Sequence, residues 1–246
     1  MSGQVRNDAK IAGEGTLSGG SYGAITINGA GAINGDVDCA TLRINGAGTA
    51  NGRVKAESVT INGAGTINGE MQAAELNVNG DGSIRDGAGI GRLSIKGRCS
   101  IGGGLAAHDI DLKGELKVSG DCEAESVIGE GALAIGGLLN AGIIDMRVYA
   151  PCSAREIGGE KITVRQPGTG FQSFTQLFTF WAEKRLTAET IEGDDVFLEL
   201  TFAKTVRGRN VTIGDGCQID LVEYSDNYSR VDGATVGEAR KVAAEG

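Results

Sequence analysis

The sequence predicts an all-β protein: a single-stranded β-helix, or solenoid, of about ten triangular coils with a 17-residue period. Three observations lead to this fold class: a glycine-rich repeat, columns of aliphatic residues at the same period, and Asn-Gly pairs between them. The stretch Asn45–Gly52 is a near-copy of Asn28–Gly35 and returns as Asn62–Gly69. Self-similarity at a short fixed period is typical of solenoids, in which each repeat packs on its neighbours.

Aliphatic side chains recur at the same period through the centre of the chain. The most regular column consists of Ile25, Leu42, Val59, Leu76, Leu93, Ile110, Val127 and Ile144. A second column begins two positions later, at Ile27, and further pairs lie near positions 31/33 and 37/39. Apolar residues two apart lie on one face of a β-strand. Each repeat therefore holds three short strands of similar length, which close into a triangular coil when copies stack.

Asparagine stands directly before glycine at the predicted corners. One such column holds Asn28, Asn45, Asn62 and Asn79, and another holds Asn34, Asn51 and Asn68. Asn and Gly both tolerate positive φ, so these pairs suit tight corners, and stacked asparagines can hydrogen-bond as a ladder. An asparagine array that binds a ligand is the functional alternative.

One column changes residue type along the chain. Gly31, Gly48, Gly65 and Gly82 are followed at the same period by Cys99, Leu116 and Leu133. Because the residues two positions later stay aliphatic, we expect this column to face inward, in a core that widens or repacks toward the C-terminal coils. The alternative is that the glycines mark turns.

The chain divides into four predicted segments. Residues 1–10 form a mobile tail, residues 11–224 form the β-helix domain, and residues 225–246 form a polar C-terminal tail. An aromatic-rich insertion at 165–187 interrupts the domain. The insertion is interpreted as a flap packed on the flank of the solenoid. The alternative is a monomeric β-helix scaffold that docks a partner protein or membrane surface through Phe171, Phe174, Phe178, Phe180 and Trp181.

Composition and charge argue against several classes of protein. The net charge of −9 opposes nucleic-acid binding, which usually requires a basic surface. The N-terminal tail is polar and lacks the apolar stretch of a secretory signal, and no apolar run reaches membrane-spanning length. We therefore expect a cytoplasmic protein, with membrane association as an open alternative. The five scattered cysteines form no CxxC motif and are expected to be reduced thiols packed in the core.

The sequence shows no catalytic, metal-binding or cofactor-binding motif, and we predict that the protein is not an enzyme and uses no cofactor. The strongest enzymatic alternative is a hexapeptide-repeat acyltransferase, which would have 18-residue coils and a histidine base. Here the period is 17, and His108 stands alone at a polar corner position. The carboxylate pairs Asp36/Asp38 and Asp109/Asp111 lie at unrelated positions along the coils and are interpreted as solvated charges.

The repeat resembles that of the bactofilins, bacterial cytoskeletal proteins that form polymers. The resemblance covers most of residues 11–224 and rests on the 17-residue coils with Ile-Asn-Gly corners. The runs Ile191–Glu199 and Val211–Tyr224 extend it and look like the variant of spore-forming Gram-positive bacteria. The resemblance implies a right-handed β-helix that joins end to end into nucleotide-free, non-polar filaments. The aromatic insertion departs from the family pattern, as does the N-terminal tail, which has no apolar run for membrane attachment.

The two ends of a solenoid expose unpaired strand edges and a cross-section of the core, which must be capped or paired. We therefore predict a polymer interface at Ile11 and Leu17 in the first coil and at Ile219, Leu221 and Val222 in the last. The expected partner is a second copy of the chain. Envelope proteins, motility proteins and the membrane surface are open alternatives.

Overall fold

The computed structural model describes residues 6–167 and 184–243. These residues confirm the predicted all-β class: they contain no helix, and each unit is built of parallel strands stacked as the coils of a β-solenoid. The chain divides into two compact units, Met1–Gly120 and Asp121–Gly246. The strands of the first unit are β1 (Ala9–Asn51), β2 (Val54–Ile61), β3 (Ala64–Ile67), β4 (Met71–Val78), β5 (Asp81–Ile84), β6 (Ala88–Ile95), β7 (Arg98–Ile101) and β8 (Leu105–Val118). Those of the second unit are β9 (Cys122–Ile135), β10 (Leu138–Val148), β11 (Cys152–Ser153), β12 (Glu156–Arg165), β13 (Leu186–Leu198), β14 (Thr201–Ile213), β15 (Gln218–Arg230) and β16 (Thr235–Lys241).

The coils of the first unit stack in the register that the sequence period predicts. Val37 of β1 pairs with Val54 of β2, which pairs in turn with Met71 of β4. The short strands form a second line with the same offset, in which Ala64 of β3 pairs with Asp81 of β5, and Asp81 pairs with Arg98 of β7. Because every pairing is parallel and constant in offset, equivalent side chains lie directly above one another.

The predicted inward columns form the core. Every residue of the column that runs from Ile25 to Ile144 is at most 2% exposed. Full burial of an aliphatic side chain contributes about 1.5–3 kcal/mol relative to exposure. Stacked aliphatic columns are therefore the main source of stability in each unit.

The glycine column also faces inward, as expected. A Cβ atom added to Gly48 would lie 2.8 Å from Cγ2 of Ile44, and one added to Gly65 would lie 2.9 Å from Cδ1 of Ile61. Neither glycine has positive φ, so these positions do not mark turns. They leave room for the neighbouring isoleucines, whereas Cys99, farther along the column, is fully buried.

The Asn-Gly pairs form the corners of the first unit. Asn45 Nδ2 donates to Asn28 Oδ1 at 2.8 Å, and Asn62 Nδ2 donates to Asn45 Oδ1 at 2.9 Å. At several corners the glycine after the asparagine supplies a positive φ, which is +123° at Gly29 and +145° at Gly46. The predicted ladder is thus confirmed, and glycine rather than asparagine makes the turn.

The coils of the second unit are less regular. Leu138 pairs with Glu156, which makes that coil longer than the regular period, whereas Leu186 pairs with Thr201, which makes the coil between them shorter. The short coil has Leu200 at its corner with a φ of +48°, a left-handed conformation that a side chain with a Cβ rarely adopts. Another irregularity is a bulge where β14 pairs with β15 near Gly208.

The described parts of both predicted tails pair with neighbouring coils. Near the N-terminus, Gly23 N donates to Asn7 O at 3.0 Å, and Ala24 N donates to Asp8 Oδ1 at 2.8 Å. Near the C-terminus, β15 continues to Arg230 and is followed by β16. These segments are ordered because their main chains hydrogen-bond to the adjacent coil. They are polar because an outermost coil has no further coil against which to bury apolar side chains.

Candidate functional site at the terminal coils

The first coil of the first unit, residues 9–22, presents a nearly uncharged edge. Lys10 and Glu14 are its charged residues; of the two charged residues just before it, Arg6 donates to Asp38 Oδ1 and Asp8 accepts from Ala24 N. Ile11 is 7% exposed, and Leu17 is half-buried. No strand of the described residues lies beyond this coil, so its outer N–H and C=O groups are open to another strand.

The last coil of the second unit is not where the sequence suggested. Ile219 and Val222, predicted at the polymer interface, are 1% and 0% exposed, and Leu221 is half-buried. All three pair with β16: Ile219 with Val236, Leu221 with Glu238, and Val222 with Ala239. These residues therefore lie one strand in from the last described strand, because the segment predicted to be a C-terminal tail contains β16.

Strand β16 itself is polar and exposed. Of its seven residues, only Val236 is half-buried, and the other six are exposed. The strand carries Glu238, Arg240 and Lys241, and charged side chains are a common means of protecting an edge strand from pairing. The apolar side chains that flank it, Val231 and Val242, are 41% and 39% exposed.

A row of alternating charges links the last four strands. Arg207 Nε donates to Glu223 Oε2 at 2.6 Å, and Arg240 Nε donates to Glu223 Oε1 at 2.9 Å. Arg207 Nη1 also lies 3.7 Å from a carboxylate oxygen of Glu192. The hydrogen bonds from Arg207 and Arg240 lower the pKa of Glu223 below its ordinary value. Glu223, with a side chain only 12% exposed, is thus the centre of the row.

Two tyrosines add apolar area to this end of the second unit. The rings of Tyr224 and Tyr228 stack with their centroids 5.3 Å apart. Tyr228 pairs with Val211, and the bulge before it shifts the register of β15. This pair was not predicted from the sequence, in which its signal is the Tyr-x-x-x-Tyr spacing of a strand-like segment.

His108, the residue considered for the acyltransferase alternative, lies on the surface. The His108 side chain is 70% exposed, and its Nδ1 lies 3.1 Å from Asp109 Oδ2. In the described part of the chain, no group of three or more His, Cys, Asp or Glu residues could hold a metal ion. All five cysteines are free and buried, and burial raises the pKa of Cys99 and Cys122 to about 12. These thiols pack as small hydrophobic groups.

The predicted docking residues of the insertion, Phe171, Phe174, Phe178, Phe180 and Trp181, lie outside the described residues. Just beyond them, the Arg185 guanidinium lies over the Phe202 ring, 4.0 Å from its centroid. Within the described ranges, no helix has the length and apolar character needed to span a bilayer.

Comparison with known proteins identifies similarity in part of the chain. Residues 1–88 match the family model of the bactofilins, described as polymer-forming cytoskeletal. Uncharacterized protein YhbE of Bacillus subtilis is 42% identical over 109 residues, which are 44% of this chain and 44% of the relative. Uncharacterized protein YhbF of the same organism is 42% identical over 89 residues, or 36% of this chain and 34% of the relative.

The chain spans less than half the length of either curated relative that it matches, and no solved structure shows significant similarity to it. The matched residues include the Asn-Gly corners and the open first coil described above. The resemblance to bactofilins that the repeat predicted is confirmed over residues 1–88, the part of the chain that the bactofilin family model covers.

Proposed function

We propose that this protein is a structural cytoskeletal protein of the cytoplasm, whose copies join through their terminal coils into filaments without a nucleotide. The observation that carries the proposal is the open, nearly uncharged strand edge of the first coil, in a segment that matches a polymer-forming family. The filament would serve as a scaffold, and a second copy of the chain is the principal partner.

The energetics of an open edge support self-association. Each main-chain hydrogen bond that the edge gains contributes about 0.5–1.5 kcal/mol net, so a strand-length contact supplies several kcal/mol. Contact with another coil would also cover the half-buried Leu17. Proteins that must stay monomeric usually protect such edges with lysines, prolines or bulges. The first coil has a single lysine and no proline.

The test is direct. Purified protein, with no nucleotide present, is examined across a range of concentrations by sedimentation and negative-stain electron microscopy. We expect a pelletable fraction above a critical concentration, with filaments in the micrographs. A sedimentation coefficient that remains that of a monomer at every concentration would refute the proposal and favour a monomeric scaffold.

A pair of variants locates the contact on the first coil. Leu17→Lys places a charge at a half-buried position of this coil and should raise the critical concentration at least tenfold. Ser18→Lys, at the next position and exposed, adds the same charge and should behave as wild type. Equal assembly by the two variants would place the contact elsewhere.

A further inference from the structure

The edge of β15 that is best suited to binding another strand is already covered. Ile219 and Val222 are almost fully buried, and β16 pairs along the edge that carries them. The covering strand contributes Thr235 N, which donates to Cys217 O at 2.9 Å, and the residue after it contributes Val242 N, which donates to Tyr224 O at 2.9 Å. Without β16, these main-chain groups and the apolar side chains beside them would meet solvent.

Strand β16 gains little from burial. Six of its seven side chains are exposed, and only the preceding Ala234 is buried, at 7% exposed. Ordering the backbone of a residue carries an entropic penalty of about 1–2 kcal/mol, which main-chain hydrogen bonds alone barely offset. Segments with few buried apolar contacts occupy the low end of the range of local stability.

An ion pair between Arg240 and Glu223 holds the C-terminal end of β16 against β15. Arg240 donates through both Nε and Nη2 to Oε1 of Glu223. Glu223 is also held by Arg207 of β14, a contact that does not depend on β16. Lys241, the next residue, has the same charge and an exposed side chain, and it takes no part in the row centred on Glu223.

We propose that β16 is a releasable cap, fastened by Arg240 to Glu223, whose detachment opens the edge of β15 to a strand of a second copy of this chain. The proposal rests on the proposed function, since it assumes that copies of the chain associate. It explains why the apolar residues predicted at the interface are buried beneath a strand with almost no buried side chains.

A second copy is the occupant that the edge favours. The edge of β15 already accepts a parallel strand of this same chain, in a register defined from Gln218 to Tyr224. Strand β16 carries the charged residues Glu238, Arg240 and Lys241, which discourage pairing along its outer edge while the cap is in place. The first coil of another copy offers an open edge with few charges and is better matched to the apolar side chains of β15.

The experiment compares four proteins, each the full chain: wild type, Arg240→Gln, Glu223→Gln and Lys241→Gln. Hydrogen exchange of residues 235–241, below the critical concentration, measures release of the cap, and sedimentation measures assembly. Loss of the Arg240–Glu223 contact should accelerate exchange roughly two- to fivefold, the range for loss of an exposed ion pair. The critical concentration of both variants should fall by a similar factor, while Lys241→Gln matches wild type in both measurements.

The outcomes separate this inference from the proposed function. Faster exchange with unchanged assembly would overturn the inference, since release would then not be coupled to association. A higher critical concentration for Arg240→Gln would also overturn it, by showing that β16 itself forms the interface. Equal assembly and equal exchange in all four proteins contradict only the inference, whereas monomers in all four at every concentration contradict the proposed function as well.

Discussion

The inward glycine column gives a sharp prediction about packing. In Gly48→Ala, the new methyl group would lie 2.8 Å from Cγ2 of Ile44 and 3.2 Å from Cδ1 of Ile27. Cγ2 is attached directly to a β-branched carbon, so it can move only if the whole side chain leaves its preferred rotamer. Overpacking of this kind destabilises a folded protein by about 1–3 kcal/mol.

Gly82→Ala is the matched control at the same column. Its nearest neighbours are the two γ carbons of Val78, both at 3.2 Å, so the neighbour needs to give way by only a few tenths of an ångström. The residual strain should be offset by the smaller conformational freedom of alanine in the unfolded chain, worth about 0.4–1 kcal/mol. We expect the stability of Gly82→Ala to lie close to that of wild type, within about 1 kcal/mol.

Thermal unfolding followed by circular dichroism provides the assay. At this chain length a change of about 1 kcal/mol shifts Tm by about 2–4 °C, so Gly48→Ala should lower Tm by several degrees. In an Ile44→Ala background, which removes the obstructing carbon, the penalty of Gly48→Ala should disappear. Equal Tm shifts for the two glycine variants, or a penalty that persists in the Ile44→Ala background, would refute the packing argument.

Three further predictions concern a strained corner, the ladder and the capping contact. Leu200→Gly relieves a left-handed φ of +48° and should raise stability by about 1 kcal/mol in thermal unfolding; a decrease would show that the leucine side chain contributes more than its strain removes. Asn62→Ala removes two ladder hydrogen bonds and Asn79→Ala removes one, so the loss of stability should be about twice as large for Asn62, at about 0.5–1.5 kcal/mol per bond. The pKa of Glu223 is lowered in the folded protein, so its contact with Arg240 stabilises fully above the ordinary carboxyl value of 4.5 and is lost as pH falls through the folded-state value. An NMR titration should show that pKa rising toward its ordinary value in Arg240→Gln, and an unchanged titration would contradict the contact.

Much of the first unit could be predicted from the sequence because one physical requirement repeats there without interruption. Each coil must place the same side chains above those of the preceding coil, so the aliphatic columns and the Asn-Gly corners recur at a constant period. The column that begins at Ile25 is buried throughout, and the asparagine ladder forms as expected.

The end of the second unit could not be predicted in the same way. Strand β16 pairs through its main chain while its side chains stay exposed, so no aliphatic column marks it. The bulge near Gly208 and the short coil that ends at Thr201 also change the spacing of the columns. Strands are predicted from the periodicity of their buried apolar residues. An outermost strand with exposed side chains has no such periodicity and cannot be predicted in this way. Ile219, Leu221 and Val222, predicted at the polymer interface, therefore lie one strand in from the last described strand.

The asparagine ladder has a consequence for chemical ageing. In an Asn-Gly pair the glycine nitrogen readily attacks the side-chain amide carbon and displaces ammonia, and water then opens the resulting cyclic imide to leave aspartate or its isomer. While Asn62 donates to Asn45 and accepts from Asn79, its amide is held in place by neighbours on both sides. Once converted, an aspartate has no N–H to donate, and its carboxylate would face the Asn45 oxygen. Damage at one corner would thus loosen the adjacent coil and leave the next Asn-Gly pair less restrained.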